Sequence, residues 1–473
     1  MKNKYYLTTA ISYANGSPHI GHITEAVIAD VIARFRSKFL DQKVYFLTGT
    51  DEHGVKIKEA AEKSGDDYQT FVDKISKEFQ IAWKQMDIDY SRFIRTTDKD
   101  HEEKVVDFYT KLKENGYIDK RIYEGLYCVG CERFYSDDEL VEGLCPDHQI
   151  PPINYKEENY FFKLSSFEKR LITEIENENI KIIPETKKNE ILGKLKIGLE
   201  DISVSRNLDW GIKLPFDDSQ VAYVWVDALI NYLTYGDAEK VWPADLHIIG
   251  KDILWFHTVI WPALLWGAGY EAPKCVYAHG FFTIAGKKIS KSIGNVITPK
   301  EMVEKLGSSD AARYILLSSF SLKNDGDFSW SKMYEKYNNV LANNLGNFAS
   351  RLAKLSSNAK ISDVELPRAD DFVIKKVSDF IESADIFSYC EYLEDLLSQL
   401  NLEFDSKSPW SKSGDEQKQI LEELMQKYLK IVEMFEPLMP NKAREIITTF
   451  VNRGAVMPVE KPIFPRLENL RAS

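Results

Sequence analysis

Apolar positions along the chain change their spacing several times, and each change marks an element. Tyr5 to Ile11 is an apolar run of strand length. Ile23, Val27, Val31, Ile32 and Phe35 then recur at the intervals that line up one face of a helix. Val44-Tyr45-Phe46-Leu47 is strand-like again. Strand, helix and strand within about 45 residues make a βαβ unit, which predicts a parallel sheet. The strand signal returns much later, at Leu246-His247-Ile248-Ile249-Gly250 and at Val276-Tyr277-Ala278-His279-Gly280. Between the halves, short aromatic runs such as Tyr160-Phe161-Phe162, a Pro151-Pro152 break and a group of cysteines read as an insertion. From about Tyr334 the period is helical almost throughout, as at Leu393, Leu396, Leu397 and Leu400, which predicts a separate helical bundle.

The expected fold class is therefore α/β followed by all-α. The first half of the sheet domain is placed at 1–118, the insertion at 119–225 and the second half at 226–285. A lysine-rich loop with the region after it occupies 286–337, and the bundle 338–473. Composition agrees with packed domains. Of 473 residues, 44% are hydrophobic and 28% charged, which excludes disorder as the main state. Lys plus Arg number 61 against 73 Asp plus Glu, a net charge of −12. Such a chain is no generic polyanion binder, so any contact with nucleic acid must rest on local basic surface. The most apolar stretch, Trp255 to Gly267, carries His257 and Pro262 and is too short to span a membrane. Met1 to Tyr6 leads into no signal-peptide core, and 5 cysteines, three of them clustered, suit a reducing cytoplasm.

Three constellations carry chemistry. Ser17-Pro18-His19-Ile20-Gly21-His22 sits where the first strand hands over to the first helix. A helix N-terminus presents unpaired N–H groups and the positive dipole end, so phosphate is its natural ligand. His19 and His22 share one face, and Gly21 lets a flat base approach the backbone. The alternative is that both histidines merely cap the helix. Gly286-Lys287-Lys288-Ile289-Ser290-Lys291-Ser292-Ile293-Gly294-Asn295 suits a mobile loop that closes cations over a polyphosphate, or else an exposed basic turn. Cys128-Val129-Gly130-Cys131 and Cys145-Pro146-Asp147-His148 have the spacing of a zinc knuckle over 128–148. Three thiolates and one imidazole would close a structural site, with Asp147 as an alternative to His148.

The first two signatures, in opposite halves of one split sheet, resemble those of the class I aminoacyl-tRNA synthetases. The HIGH signature is intact at His19–His22, and KMSKS is written Lys288-Ile289-Ser290-Lys291-Ser292, with Ile keeping the apolar anchor. The resemblance sharpens to the methionyl-tRNA synthetases, over essentially the whole chain. The runs that carry it are Ser12-Tyr13-Ala14-Asn15-Gly16, Thr50-Asp51-Glu52-His53-Gly54, Val224-Trp225-Val226-Asp227-Ala228 and Gly250-Lys251-Asp252-Ile253-Leu254-Trp255-Phe256-His257. The resemblance implies a Rossmann-like catalytic domain split by the knuckle insertion, a stem-contact region after the lysine loop and an anticodon-binding bundle. It implies a methionine pocket of Ile11, Tyr13, Trp225, Ala228, Leu229, Tyr232, Ile253, His257 and Trp261, with Asp51 taking the substrate ammonium. Ile11 and Leu229 depart from the commonest family residues but stay apolar. On composition alone, Trp225 and Trp261 read better as ordinary core aromatics. His19, Gly21, His22, Asp252, Lys288, Ser290, Lys291 and Ser292 would bind ATP with its Mg2+. Among them His19 and His22 meet the phosphates, and Lys288 and Lys291 meet the leaving pyrophosphate.

The insertion, about 110 residues partly spent on the knuckle, lacks room for the large editing domain of the valine, isoleucine and leucine enzymes. One structural Zn2+ per chain is expected. In the bundle, Asn347, Arg351 and Trp410 match anticodon-reading positions, two hydrogen-bonding groups and one stacking ring for a CAU anticodon. Asn347 could instead be a helix-contact residue, and Trp410 a core residue of the bundle. The chain ends soon after Phe464-Pro465-Arg466-Leu467 without an appended domain, so a cytoplasmic monomer is expected, with ATP, L-methionine and tRNA(Met) as partners and no membrane. The competing reading is a catalytically idle tRNA-binding homologue, which both intact signatures and Asp51 disfavour.

Overall fold

The computed structural model describes residues 3–130, 133–135, 137–146, 148–284, 287–288, 296–362, 364–451 and 454–468. Its centre is a seven-stranded sheet. The strand order is Ser12–Tyr13, Lys43–Asp51, Lys4–Thr9, Leu246–Gly250, Cys275–His279, Lys181–Ile183, with Arg92–Arg95 also pairing with Lys43–Asp51. Every pairing is parallel. Parallel strands covered on both faces read as continuous apolar runs, and the two-residue period deals their side chains to two cores. Leu7, Phe46, Leu246 and Ile248 point into one. Tyr6, Leu47, Ile249 and Val276 point into the other.

The first core is roofed by the helices Ile20–Phe39 and Tyr68–Gln85 and runs on without a break into the C-terminal helices. The second core is covered by the helices Lys99–Glu114, Val224–Ala238 and Trp261–Gly267. The inserted region builds its own antiparallel sheet from Arg133–Tyr135, Ile118–Cys128, Ile153–Phe162 and Ile202–Ser203. It does not stay apart from the main sheet. Lys181–Ile183, inside the stretch 119–225, pairs in parallel with Cys275–His279. Three residues are too few to carry a period, so the sequence pattern could not reveal this edge strand.

The C-terminal region is helical at Trp330–Lys336, Asn347–Asn358, Asp371–Glu382, Ile386–Lys407, Gly414–Phe435 and Pro440–Phe450, with a π-helical stretch at Tyr337–Gly346. A fully buried ion pair fastens these helices to the sheet domain. Arg313 Nη2 meets Asp30 Oδ2 of the first helix at 2.5 Å. The same guanidinium donates to the carbonyls of Met86, Pro437 and Leu438. Among the described residues, no helix is long and apolar enough to cross a membrane.

Candidate active site and metal centre

The sheet order reverses beside Lys4–Thr9: the first crossover leads to Lys43–Asp51 on one side, and Leu246–Gly250 lies on the other. A crevice at the carboxyl ends of the strands is the expected ligand position in such a sheet. His19 is the N-cap of the helix Ile20–Phe39. Its Nδ1 accepts from the Gly21 N–H at 3.1 Å, while the His19 N–H donates to His22 Nδ1 at 3.2 Å. The two rings stack with centroids 3.9 Å apart. Capping and phosphate binding are thus compatible. An Nδ1 that accepts carries no proton, so each ring keeps its N–H at Nε2 as a donor. Gly21 makes room for this arrangement, since a Cβ there would lie 2.9 Å from His19 Cε1.

One turn further on, Glu25 meets His279 at the end of its strand, Oε2 to Nε2 3.2 Å. Burial opposes the charge on His279, but Glu25 outweighs it and holds the imidazole above its ordinary value, with Asp252 adding to the effect. Glu25 and His279 have no role in the motif reading. They are 254 residues apart, and no local pattern pairs them.

The proposed pocket residues come from three segments. Trp225, Ala228, Leu229 and Tyr232 share one face of the helix Val224–Ala238. Ile253, His257 and Trp261 follow at four-residue spacing, with His257 in a π-helical turn, Phe256–Ile260. The Tyr232 hydroxyl donates to His257 Nε2 at 2.8 Å, and His257 Nδ1 donates to the Ile253 carbonyl at 3.0 Å. Burial depresses the His257 pKa to about 4, so the ring is neutral and can accept from Tyr232. Trp225 stacks on Phe256 at 4.4 Å. Ile11, Tyr13, Trp225, Leu229, Tyr232, Ile253 and Trp261 all belong to, or pack against, the second core. Trp261 is wholly buried, whereas Trp225, Ile11, Tyr13 and Ile253 stay partly open.

Asp51 ends its strand opposite Tyr13, and its carbonyl accepts from the Ala14 N–H at 2.8 Å. The loop after it is pinned residue by residue. Glu52 is gripped by both arms of Arg95, each at 2.8 Å, and by Thr97 at 2.6 Å. His53 Nδ1 meets Asp227 Oδ2 at 2.7 Å, and His101 Nε2 takes Asp227 Oδ1 at 2.8 Å. Burial works against the charge of Asp227, yet the two imidazoles prevail and hold its carboxyl below the ordinary range.

In the insertion, Cys128, Cys145 and His148 place their donor atoms within 4.8 Å of one another, a group that could hold a metal ion. Both thiols are buried, and Cys145 Sγ lies 4.0 Å from His148 Nδ1. Bond lengths of about 2.3 Å to sulfur and 2.0–2.1 Å to nitrogen put tetrahedral zinc ligands roughly 3.5–4 Å apart, so the donors fit. The Cys145 thiol donates to the Tyr135 hydroxyl oxygen at 3.5 Å. A Cβ on Gly130 would meet the His148 ring at 2.6 Å, so the knuckle turn needs glycine to seat that imidazole. Cys131 and Asp147 lie outside the described residues, as do Ser290, Lys291 and Ser292. The Lys287–Lys288 strand pairs with Phe282–Ile284.

In the bundle, Arg351 lies 4.5 Å over the Phe404 ring and 5.9 Å from Trp410, and it pairs with Asp405 at 2.8 Å. Asn347 is exposed one turn earlier on the same helix. Trp410 is 51% exposed, which removes it from the core.

Comparison with known proteins agrees with this geometry. The family model "tRNA synthetases class I (M)" matches residues 5–152 and 148–353. Methionine–tRNA ligase of Caldanaerobacter subterraneus subsp. tengcongensis is 40% identical over 472 residues, covering 94% of this chain and 74% of that protein. The Thermotoga maritima methionine–tRNA ligase is 38% identical, covering 98% and 77%. Among solved structures, Mycobacterium tuberculosis methionyl-tRNA synthetase in complex with methionyl-adenylate superposes with a TM-score of 0.89 at 34% identity, over 98% of this chain and all of that one. With the signature histidines at the switch point and this likeness along nearly its whole length, the chain belongs to the class I tRNA synthetases, in the methionine–tRNA ligase family.

Proposed function

We propose that this protein activates L-methionine with ATP to methionyl-adenylate and passes the methionyl group to the 3′-terminal adenosine of tRNA(Met). The observation that carries the reading is the juxtaposition at the sheet's switch point: a histidine-capped helix N-terminus beside a largely apolar wall in which Tyr232 and His257 already bond to each other. Tyr232 and His257 satisfy one another, so a thioether beside them leaves neither of these two buried polar groups unpaired. Aromatic edges suit polarizable sulfur. Relatives named methionine–tRNA ligase and a structural likeness to a methionyl-adenylate complex support the same substrate.

In this reading Asp51 holds the methionine ammonium, and the carboxylate of the methionine attacks the ATP α-phosphorus. The carboxylate–phosphorus bond forms as the bond to pyrophosphate breaks. His19 and His22 donate from Nε2 to the phosphates, and the dipole of their helix adds positive potential. Lys288 and Lys291 neutralise the leaving pyrophosphate, while Asp252 and Gly21 seat the nucleoside. The 2′-hydroxyl of the tRNA adenosine then attacks the acyl carbon and releases AMP. ATP arrives with Mg2+. A Zn2+ held by Cys128, Cys131, Cys145 and His148 would brace the insertion and leave no open position for substrate. Asn347, Arg351 and Trp410 read the CAU anticodon. The chain works as a cytoplasmic monomer, organised as catalytic halves 1–118 and 226–285, insertion 119–225, loop and stem-contact region 286–337 and anticodon domain 338–473.

Methionine-dependent ATP–pyrophosphate exchange tests the first step, and charging of purified tRNA tests the second. Exchange without charging would confine the activity to adenylation. Neither reaction would leave a catalytically idle tRNA-binding protein.

A further inference from the structure

Glu52 has its own clamp, and Asp51 is held through its backbone, but His53 reaches across the molecule. Its partner Asp227 is wholly buried in the first turn of the helix Val224–Ala238, between Trp225 and Ala228 of the proposed pocket wall. The carboxylate has two oxygens and spends both on imidazoles. One goes to His53 at 2.7 Å and the other to His101 of the helix Lys99–Glu114 at 2.8 Å. His101 Nδ1 in turn meets the Thr234 hydroxyl, two turns further along the pocket helix, at 3.1 Å. His53, His101, Asp227 and Thr234 are all buried. The His53 ring is also packed edge-on to Trp210, centroids 5.2 Å apart, and the Trp210 indole N–H donates to the Glu52 carbonyl at 2.7 Å.

An ionised Asp227 can only accept, so His53 presents Nδ1–H and His101 presents Nε2–H. The contact is therefore specific to one ring nitrogen of each histidine. It is also a direct polar link between the loop that carries Asp51 and the helix that carries Trp225, Ala228, Leu229 and Tyr232. Methionine must satisfy both at once, with its ammonium on one and its thioether on the other. The span between them decides whether both ends of the substrate fit, and a misplacement of about 1 Å at such a site costs on the order of 100-fold.

We infer that His53 and Asp227 are positioning residues for methionine: their contact sets the distance between the Asp51 ammonium subsite and the aromatic side-chain pocket. The inference rests on the proposed methionine activation. Among the described hydrogen bonds and ion pairs neither residue meets His19 or His22 of the nucleotide subsite, so the effect belongs to methionine and not to ATP. His101 secures Asp227 from behind and has no contact of its own with the Asp51 loop among the described hydrogen bonds.

The test is methionine-dependent ATP–pyrophosphate exchange on the full chain, with separate KM values for methionine and ATP and a melting curve for each variant. An Asn side chain places its amide N–H where Nδ1–H stood, whereas Gln places it where Nε2–H stood. His53→Asn should keep the methionine KM within about threefold of the unaltered protein. His53→Ala and His53→Gln should raise it about 10- to 100-fold, with kcat and the ATP KM changed much less. If His53→Ala fails to fold, the Asn and Gln pair still decides the matter. The inference is overturned if all three keep the methionine KM, or if Asn and Gln behave alike. It is equally overturned if the methionine and ATP constants shift together with a lowered melting temperature, which would mark a purely structural contact. Absence of exchange in the unaltered protein would instead sink the functional reading itself.

Discussion

His19 does two things with one ring. Its Nδ1 caps the helix and its Nε2 is kept as a donor, and the two roles can be separated chemically. His19→Ala removes both, so it should lower stability by about 0.5–2 kcal/mol as well as slow exchange. Asn is itself a good N-cap but cannot reach as a second donor. His19→Asn should therefore melt near the unaltered protein while its exchange kcat falls about 100-fold or more. Full exchange activity in a stable His19→Asn protein would reduce His19 to a cap. His257 carries a second consequence. Its folded-state pKa of about 4 lies below the ordinary 6.5 because burial disfavours the charged ring. Between those values the unfolded chain binds the proton that the folded one refuses. Its contribution is thus fully present above pH 6.5 and is lost as pH falls toward 4, by up to about 2 kcal/mol at pH 5. His247, also buried and depressed, acts in the same direction. Urea unfolding at pH 7 and pH 5 should show a smaller loss for His257→Gln, which retains an acceptor for Tyr232. An identical loss would assign the acid sensitivity elsewhere.

At the scale of elements, the helix Val224–Ala238 divides two tasks between its faces. Its pocket positions follow a 3.6-residue period, while Asp227 and Thr234, seven apart, face the His101 side. The segment after Leu246–Gly250 uses a π-helical turn, which adds a residue to the turn and aims His257 at Tyr232. The bundle works separately from both. Trp410 follows the helix Ile386–Lys407, 5.6 Å from Phe404, with half its surface open. Stacking of one base on such a ring is worth about 1–3 kcal/mol. Trp410→Ala should weaken charging of tRNA bearing a CAU anticodon by roughly 5- to 150-fold and leave tRNA-independent exchange unchanged, with melting little altered. Parallel loss of exchange, charging and melting temperature would mark Trp410 as a packing residue instead.

For the whole molecule, the decisive contact is Arg313 with Asp30. The pair is wholly buried, and the guanidinium also satisfies carbonyls on the turn between the last two long helices. It anchors the bundle to the same helix whose first turn holds His19 and His22. Arg313→Ala leaves a buried carboxylate with one partner fewer, Arg34 remaining at 2.7 Å. The expected cost is about 3–5 kcal/mol, read as a fall in the unfolding midpoint. Replacing both members by apolar residues of similar volume should cost less than removing Arg313 alone. A midpoint unmoved by Arg313→Ala would show that apolar packing alone holds the bundle.

The order of the central strands' apolar runs, the first helix, the long C-terminal helices and the position of each signature were legible in the sequence. Each is a local matter: a period of two or 3.6, or a motif whose residues act within one turn. Partnerships across the chain were not. Asp227 and His53 are 174 residues apart, and Glu25 and His279 are 254 apart. Both pairs lie in quoted or neighbouring runs, yet nothing local says which histidine faces which carboxylate. The edge strand Lys181–Ile183 was hidden because three residues have no period, and its place depends on the free edge of Cys275–His279. Only the fold placed Trp410 at the surface and not in the core of the bundle. Residue type and spacing thus determined which chemistry the chain carries, because they act within a turn. Tertiary packing decided which groups meet, because burial leaves each charged or polar group only those partners that the fold brings within hydrogen-bond distance.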